Sequence, residues 1–179
     1  MLFPSGRLPL RIFEQRYMEM AKACLKHSAA FGVCLIREGA EVGTPATPSD
    51  VGTLARIASW DMPQLGVLHV VARGERRFRI LARRVQPDGL ARARVEILQE
   101  ENDAEVPAAC STSVKLLERI IEQHSELLER PHRLDSCAWV SARLAELLPL
   151  PLAAKQALLE LDDARARLER LTAALARAP

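Results

Sequence analysis

The order of apolar, polar and glycine positions divides the chain into two stretches. All eight glycines fall at or before Gly89, and the ninety residues that follow have none. Glycine marks turns, bulges and close backbone approaches, so the first stretch is turn-rich and the second is not. Five runs in the first stretch have the length and composition of strands: 31–37, 51–60, 66–73, 76–85 and 90–98. Short strands between turn signals predict an antiparallel sheet or small barrel. The residues Arg73-Gly74-Glu75-Arg76 read as a tight hairpin joining 66–73 to 76–85. In 66–73 both parities are largely apolar: Val67, His69 and Val71 alternate with Leu68, Val70 and Ala72. That pattern predicts a central strand covered on both faces. One segment, 13–27, has helical spacing instead, with Phe13, Tyr17, Met20 and Cys24 on one stripe. It predicts a helix inserted early that covers the sheet.

The second stretch reads as helices. Val114, Leu117, Ile121, His124 and Leu128 form one stripe, and Val140, Leu144 and Leu147 another. Pro151 opens a helix that runs to Leu161, as a first-turn proline can. Asp162 or Asp163 caps the next, whose stripe is Ala164, Leu168, Leu171 and Leu175. The acidic segment 100–107 is the linker. The expected organisation is α+β: a β domain over 1–100, then a bundle of about four helices over 108–179.

Composition adds exclusions. Apolar residues are 49% of the chain, charged residues 27%, and the net charge is +2. This is a globular composition with no apolar run near the roughly 18–20 residues of a membrane span. The start lacks the pattern of a signal peptide. Cys24, Cys34, Cys110 and Cys137 form no CxxC pair, so they are expected to be reduced thiols of a cytoplasmic protein.

Few residues carry recognisable chemistry. The four lysines, Lys22, Lys26, Lys115 and Lys155, never follow glycine, so no GxxxxGK[ST] loop exists to cradle phosphates. No GxG occurs either. Ser111 and Ser113 lie near Lys115, but residues two apart on a helix diverge, and neither serine sits in a GxSxG elbow. Cys24 and His27 share a helix face, yet a zinc site needs two more ligands from the scattered Cys34, His69, His124, His132 and Cys137. Glu100 and Glu101 are adjacent charges in the linker, not an acid–base couple. No catalytic residue, metal site or cofactor is expected.

The clearest charge feature is basic. Arg73, Arg76, Arg77, Arg79, Arg83, Arg84, Arg92 and Arg94 face only Glu75 and Asp88 over 73–94, a local net charge of +6. Arg77 and Arg79 are expected on one strand face, and Arg92 and Arg94 on another. They form a candidate patch for phosphate or an acidic protein. The alternative is a solvated outer face with Ala91, Ala93, Val95 and Ile97 turned inward. No aromatic ring interleaves the arginines as in single-strand nucleic-acid platforms.

As a whole, the chain resembles the amino-terminal, substrate-binding domain of Lon protease, in the free-standing form found as a separate bacterial protein. The resemblance rests on Leu2-Phe3-Pro4-Ser5-Gly6-Arg7-Leu8-Pro9-Leu10-Arg11-Ile12-Phe13-Glu14-Gln15-Arg16-Tyr17, then Glu41-Val42-Gly43-Thr44 and Val51-Gly52-Thr53-Leu54-Ala55-Arg56-Ile57. It continues through Val70-Val71-Ala72-Arg73-Gly74-Glu75-Arg76-Arg77-Phe78-Arg79-Ile80, with weaker echoes at Leu147-Leu148-Pro149 and Leu158-Leu159-Glu160. It implies a PUA-like antiparallel β pseudo-barrel with an inserted helix, followed by a C-terminal α-helical bundle. It also implies turn positions at Gly52 and Gly74, an inward Phe78, and unfolded or exposed polypeptide as the partner. Leu2, Phe3 and Leu8 are the candidate polypeptide contacts. RNA binding through the 73–94 arginines is the alternative. Two departures stand out. Gln15 replaces a common proline, and a Leu-Pro-Leu-Phe-Pro-like strand that usually comes first is not seen. The resemblance therefore implies an open sheet edge, where the chain is expected to form a homodimer, aggregate or take up extended peptide.

Overall fold

The computed structural model describes residues 1–39, 46–99, 103–124 and 128–177. Residues 41–44, Glu100 and Glu101, named above, lie outside the described residues. The chain forms two compact units, Met1–Leu98 and Gln99–Pro179. The first holds strand β1 (Arg7–Ile12), helix α1 (Gln15–His27) and strands β2 (Phe31–Glu38), β3 (Thr47–Gln64), β4 (Val67–Val85) and β5 (Ala91–Ile97). The second holds α2 (Ser111–Gln123), α3 (Cys137–Leu147), α4 (Leu152–Leu159) and α5 (Ala164–Leu175). The architecture is α+β.

All strand pairings are antiparallel, in the order β1-β4-β3-β2, with β5 also on β4. β4 is the long spine. Its first part, Leu68 to Arg73, pairs with β1, and its second, Phe78 to Val85, pairs with β5. Between them lies a bulge: Ala55 faces Gly74 while Thr53 faces Arg77, so β4 holds one residue more than β3 there. The expected hairpin at 73–76 is therefore a bulge inside one continuous strand. Gly74 is needed for close approach, not reversal. A Cβ there would lie 2.2 Å from the Phe3 carbonyl oxygen. The strand bonds the N-terminal segment on both sides of this point, with Ser5 N–H donating to Gly74 O and Gly74 N–H to Gly6 O, each 2.9 Å. Gly52 is likewise inside a strand, where a Cβ would meet the Val33 carbonyl oxygen at 2.5 Å.

The true reversals lie elsewhere. β3 and β4 turn at Leu65-Gly66, where Gly66 takes φ +82°, a left-handed value that favours glycine. β4 and β5 turn over 86–90, closed by Gln86 N–H to Leu90 O at 2.9 Å and by Asp88 Oδ1, which accepts from Leu90 N–H.

The core of the first unit has two patches. Ile12, Met18, Ala21, Leu68 and Val70 bury α1 against β1 and β4. Leu2, Ala55 and Ala72 form the other, with Leu8, Leu10, Phe31 and Val33 packed against it. The helical stripe is offset from the expected one. Glu14 is the N-cap and Gln15 the first helical residue, so Phe13 lies in the strand-to-helix turn, exposed, while Met18 and Ala21 point inward. Arg16 anchors the helix start: its Nη1 donates to Gly89 O at 3.0 Å, its Nη2 pairs with Glu14 at 2.9 Å, and its guanidinium lies over Tyr17. β4 is central as expected, yet in its first arm, 67–73, Leu68, Val70 and Ala72 are buried while His69 is exposed. β5 departs further. Ala91 and Ala93 are exposed, so its apolar positions are not turned into a core.

In the second unit α3 is buried nearly all round, from Cys137 through Val140–Ala145. It packs chiefly on α5. Arg167 of α5 is fully buried and donates from Nε to Ser141 Oγ at 2.9 Å, and Ser141 in turn donates to Cys137 O. Asp163 caps α5 by accepting from Arg165 and Ala166 N–H, and Pro151 caps α4 instead of opening its first turn. α2 stops at Gln123, so His124 is its C-cap and Leu128 lies beyond it.

The Gly74 contact is directly testable. Gly74→Ala forces the methyl against Phe3 backbone, and overpacking of this kind costs about 2 kcal/mol. Urea denaturation should show that loss, whereas Gly66→Ala, with open space around it, should lose only the φ preference.

Candidate functional site

The tip of the β3–β4 hairpin carries three exposed large apolar side chains. Trp60 is 58% exposed, Met62 40% and Leu65 93%. The register explains why. Trp60 stands opposite Val70, on the face that α1 covers. The covering helix packs on β1 and β4, where Val70 is 3% exposed, and Trp60 on β3 remains open. Phe13, 54% exposed, follows Ile12, which pairs with Leu68 near the same end of the sheet. The turn is rigid in its chemistry: Pro63 fixes φ, Gly66 supplies the left-handed residue, and Asp61 Oδ1 accepts from Met62 N–H at 2.8 Å. Aromatic and thioether side chains held in the open on a firm strand pair form a contact surface whose backbone has little entropy left to lose.

The residues singled out from the sequence are placed differently. Leu2 and Phe3 are in the core, at 1% and 0% exposure, and Leu8 packs half-buried beside them. They are scaffold, since Leu2 O also accepts from Thr53 Oγ1 at 2.8 Å. Arg77 is buried opposite Thr53 and leaves the surface patch. Its neighbour in the expected patch, Arg79, is exposed and lies 3.8 Å from Glu96. Arg92 and Arg94 are exposed on β5. The arginines do occupy a hairpin, but its turn is at 86–90. What the sequence reading missed is the tip. The signal was present in Trp60-Asp61-Met62-Pro63-Gln64-Leu65-Gly66, where large apolar residues interrupt turn formers.

Chemistry elsewhere is sparse. No group of three metal-ligating side chains converges among the described residues. Ser113 is buried and hydrogen-bonded to Thr172 at 2.7 Å. Ser111 and Lys115 are four apart and share an open groove of about 410 Å³ with Glu105, Val114, Glu118 and Leu134, both exposed to solvent. The cysteines are free thiols. Burial pushes Cys34 up to about 11, with the Asp50 charge adding to it, and burial also raises Cys24 and Cys137. These thiols stay protonated near neutrality and are poor nucleophiles. Among the described residues no helix is long and apolar enough to cross a membrane.

This sheet and helical segment define a known class of fold, that of Lon amino-terminal domains. The crystal structure of a Lon N-terminal domain protein from Xanthomonas campestris superimposes with a TM-score of 0.81 at 36% identity, covering 100% of this chain and 94% of that one. The N-terminal domain of Mycobacterium avium complex Lon protease has the same fold, with a TM-score of 0.68 at 22% identity and the same coverage. Residues 1–177 match the substrate-binding domain of ATP-dependent protease La (LON), and the chain belongs to that family. The Lon protease of Anaeromyxobacter dehalogenans is 28% identical over 175 residues, which are 93% of this chain and 21% of that protein. The chain thus spans about a fifth of the length of that relative.

The raised Cys34 value has a signed consequence. The fold favours the neutral thiol, so this contribution is intact below pH 9 and is lost as pH rises towards 11. Between those values the native protein should lose more stability than Cys34→Ala, measured by denaturation at each pH.

Proposed function

We propose that this domain captures exposed apolar segments of other polypeptides, with Trp60, Met62 and Leu65 as the contact. The observation that carries the reading is the exposure of these three side chains at the tip of the longest hairpin. Isolated exposed apolar residues are common, but large ones gathered at one rigid tip mark an interaction surface. Family membership supports it, since the family takes its description from substrate binding. The role is non-catalytic: the domain holds or presents a client and leaves any covalent chemistry to another component. Such a module needs neither cofactor nor metal.

The client chemistry follows from the surface. An indole, a thioether and a leucine side chain favour aliphatic or aromatic stretches that a folded protein hides. Contact of this kind depends on apolar area, so it tolerates salt, in contrast to binding through phosphates.

The test is suppression of aggregation of a reduced, unfolded protein in the absence of ATP. The wild-type domain should delay light scattering, and Trp60→Ser with Leu65→Ser should lose most of that effect. Because both side chains are exposed, the melting temperature of the double variant should change little. Equal protection by the variant would remove the hairpin tip from the contact.

A further inference from the structure

A second surface is built on one face of the β4–β5 ribbon, where Arg84, Arg92 and Arg94 are exposed. The pairing places Arg84 directly opposite Arg92, and Ala82 opposite Arg94. Because Leu81 is an extra residue in β4, Ala82 and Arg84 share a face with Arg92, Arg94 and the Arg79–Glu96 pair. Directly opposed like charges destabilise a strand pair. A neighbouring carboxylate would offset that repulsion. Yet neither Arg84 nor Arg94 makes an ion pair with any described residue, and Arg92 has Gln86, whose Oε1 accepts from its Nε at 3.0 Å. Asp88, at the turn of the same ribbon, accepts from Leu90 N–H. The opposite face of the ribbon carries Arg83, whose Nη1 donates to Ala46 O at 3.1 Å, among open aliphatic side chains: Val85 is 51% exposed and Ile97 37%, and the extra residue Leu81 is 54% exposed.

We infer that this ribbon is a docking site for an acidic, extended polypeptide segment, with Arg84, Arg92 and Arg94 as its charge-reading residues. Three guanidiniums on one face call for an anion, and their planar donors suit carboxylates in pairs. The ribbon favours polypeptide over single-stranded nucleic acid. Its only aromatic residue, Phe78, is 3% exposed, so no ring is available for a base to stack on. An extended segment that alternates acidic and apolar residues matches the ribbon, since laid along β5 it would turn acidic side chains to the arginine face and apolar ones to the face of Val85 and Ile97. The site is distinct from the hairpin tip and does not depend on its role.

The experiment measures fluorescence anisotropy of a labelled peptide of alternating Glu and Val against the whole chain. A Lys–Val peptide, a single-stranded RNA and a short DNA duplex serve as comparisons. The Glu–Val peptide should bind, weaken about tenfold as salt rises from about 50 to about 300 mM, and weaken at least tenfold in the triple variant R84Q/R92Q/R94Q. The corresponding triple lysine variant should keep part of the affinity, and the Trp60→Ser variant should keep all of it. The triple Gln variant should melt no lower than wild type, because the substitution removes the opposed charges. Failure of the Glu–Val peptide to bind, or equal binding by the triple Gln variant, would overturn the assignment. Tighter RNA or DNA binding that the same variant loses would give the site to nucleic acid instead. Self-association of that variant with unchanged peptide binding would make the arginines guards of a sheet edge.

Discussion

The first unit depends on the passage of its N-terminal residues across Gly74. Backbone hydrogen bonds on both sides of that glycine hold the segment against β4, and Thr53 fixes the Leu2 carbonyl from β3. Leu2 and Phe3 are thereby sealed into the interior. The same point is the joint of β4. Before it the strand carries β1, after it β5, and the bulge lets one strand serve both. A side chain at residue 74 would press on the N-terminal segment and the joint together.

Much of this arrangement was legible in the chain. The division into a strand-rich and a helical stretch followed from the glycine distribution, and the cap of α5 was narrowed to Asp162 or Asp163 by their place before an apolar stripe, Asp163 being the one that caps. The errors share a cause. Glycine at 74 and 52 was read as reversal, because sequence shows that a side chain is missing but not what occupies its place. The neighbours are Phe3 and Val33, distant along the chain. Phe13 was read as the first residue of the helical stripe, but Ile12 still belongs to the sheet and holds Phe13 in the turn. Arg77 was read as surface by alternation, and the bulge at Gly74 turned it inward.

The binding surfaces were less legible, for a physical reason. Exposure is a property of what fails to cover a residue, and α1 covers Val70 but not Trp60 directly opposite it. The residues 60–66 signal a turn bearing large apolar side chains, but that the indole stays open is decided only by where α1 packs. The arginine-rich hairpin was visible as composition. Its pairing was not, because one extra residue at Leu81 decides which arginines share a face. The two proposed surfaces differ in chemistry, apolar area at the tip and charge on the ribbon, so rising ionic strength would weaken only the second.

Phe78 rests in a slot formed by two absences. A Cβ on Gly32 or on Gly52 would lie 2.9 Å from the end of its ring, so the ring fills space that two residues leave empty. The size allowed at position 32 is therefore tied to the size at 78, and Gly52 is held in addition by the Val33 backbone. At Gly32 a larger residue becomes tolerable once the ring has shrunk, whereas at Gly52 a Cβ would still meet the Val33 carbonyl oxygen at 2.5 Å. Divergence in this family would pass through paired changes at 32 and 78, which should covary although they lie on different strands, while 52 should stay glycine.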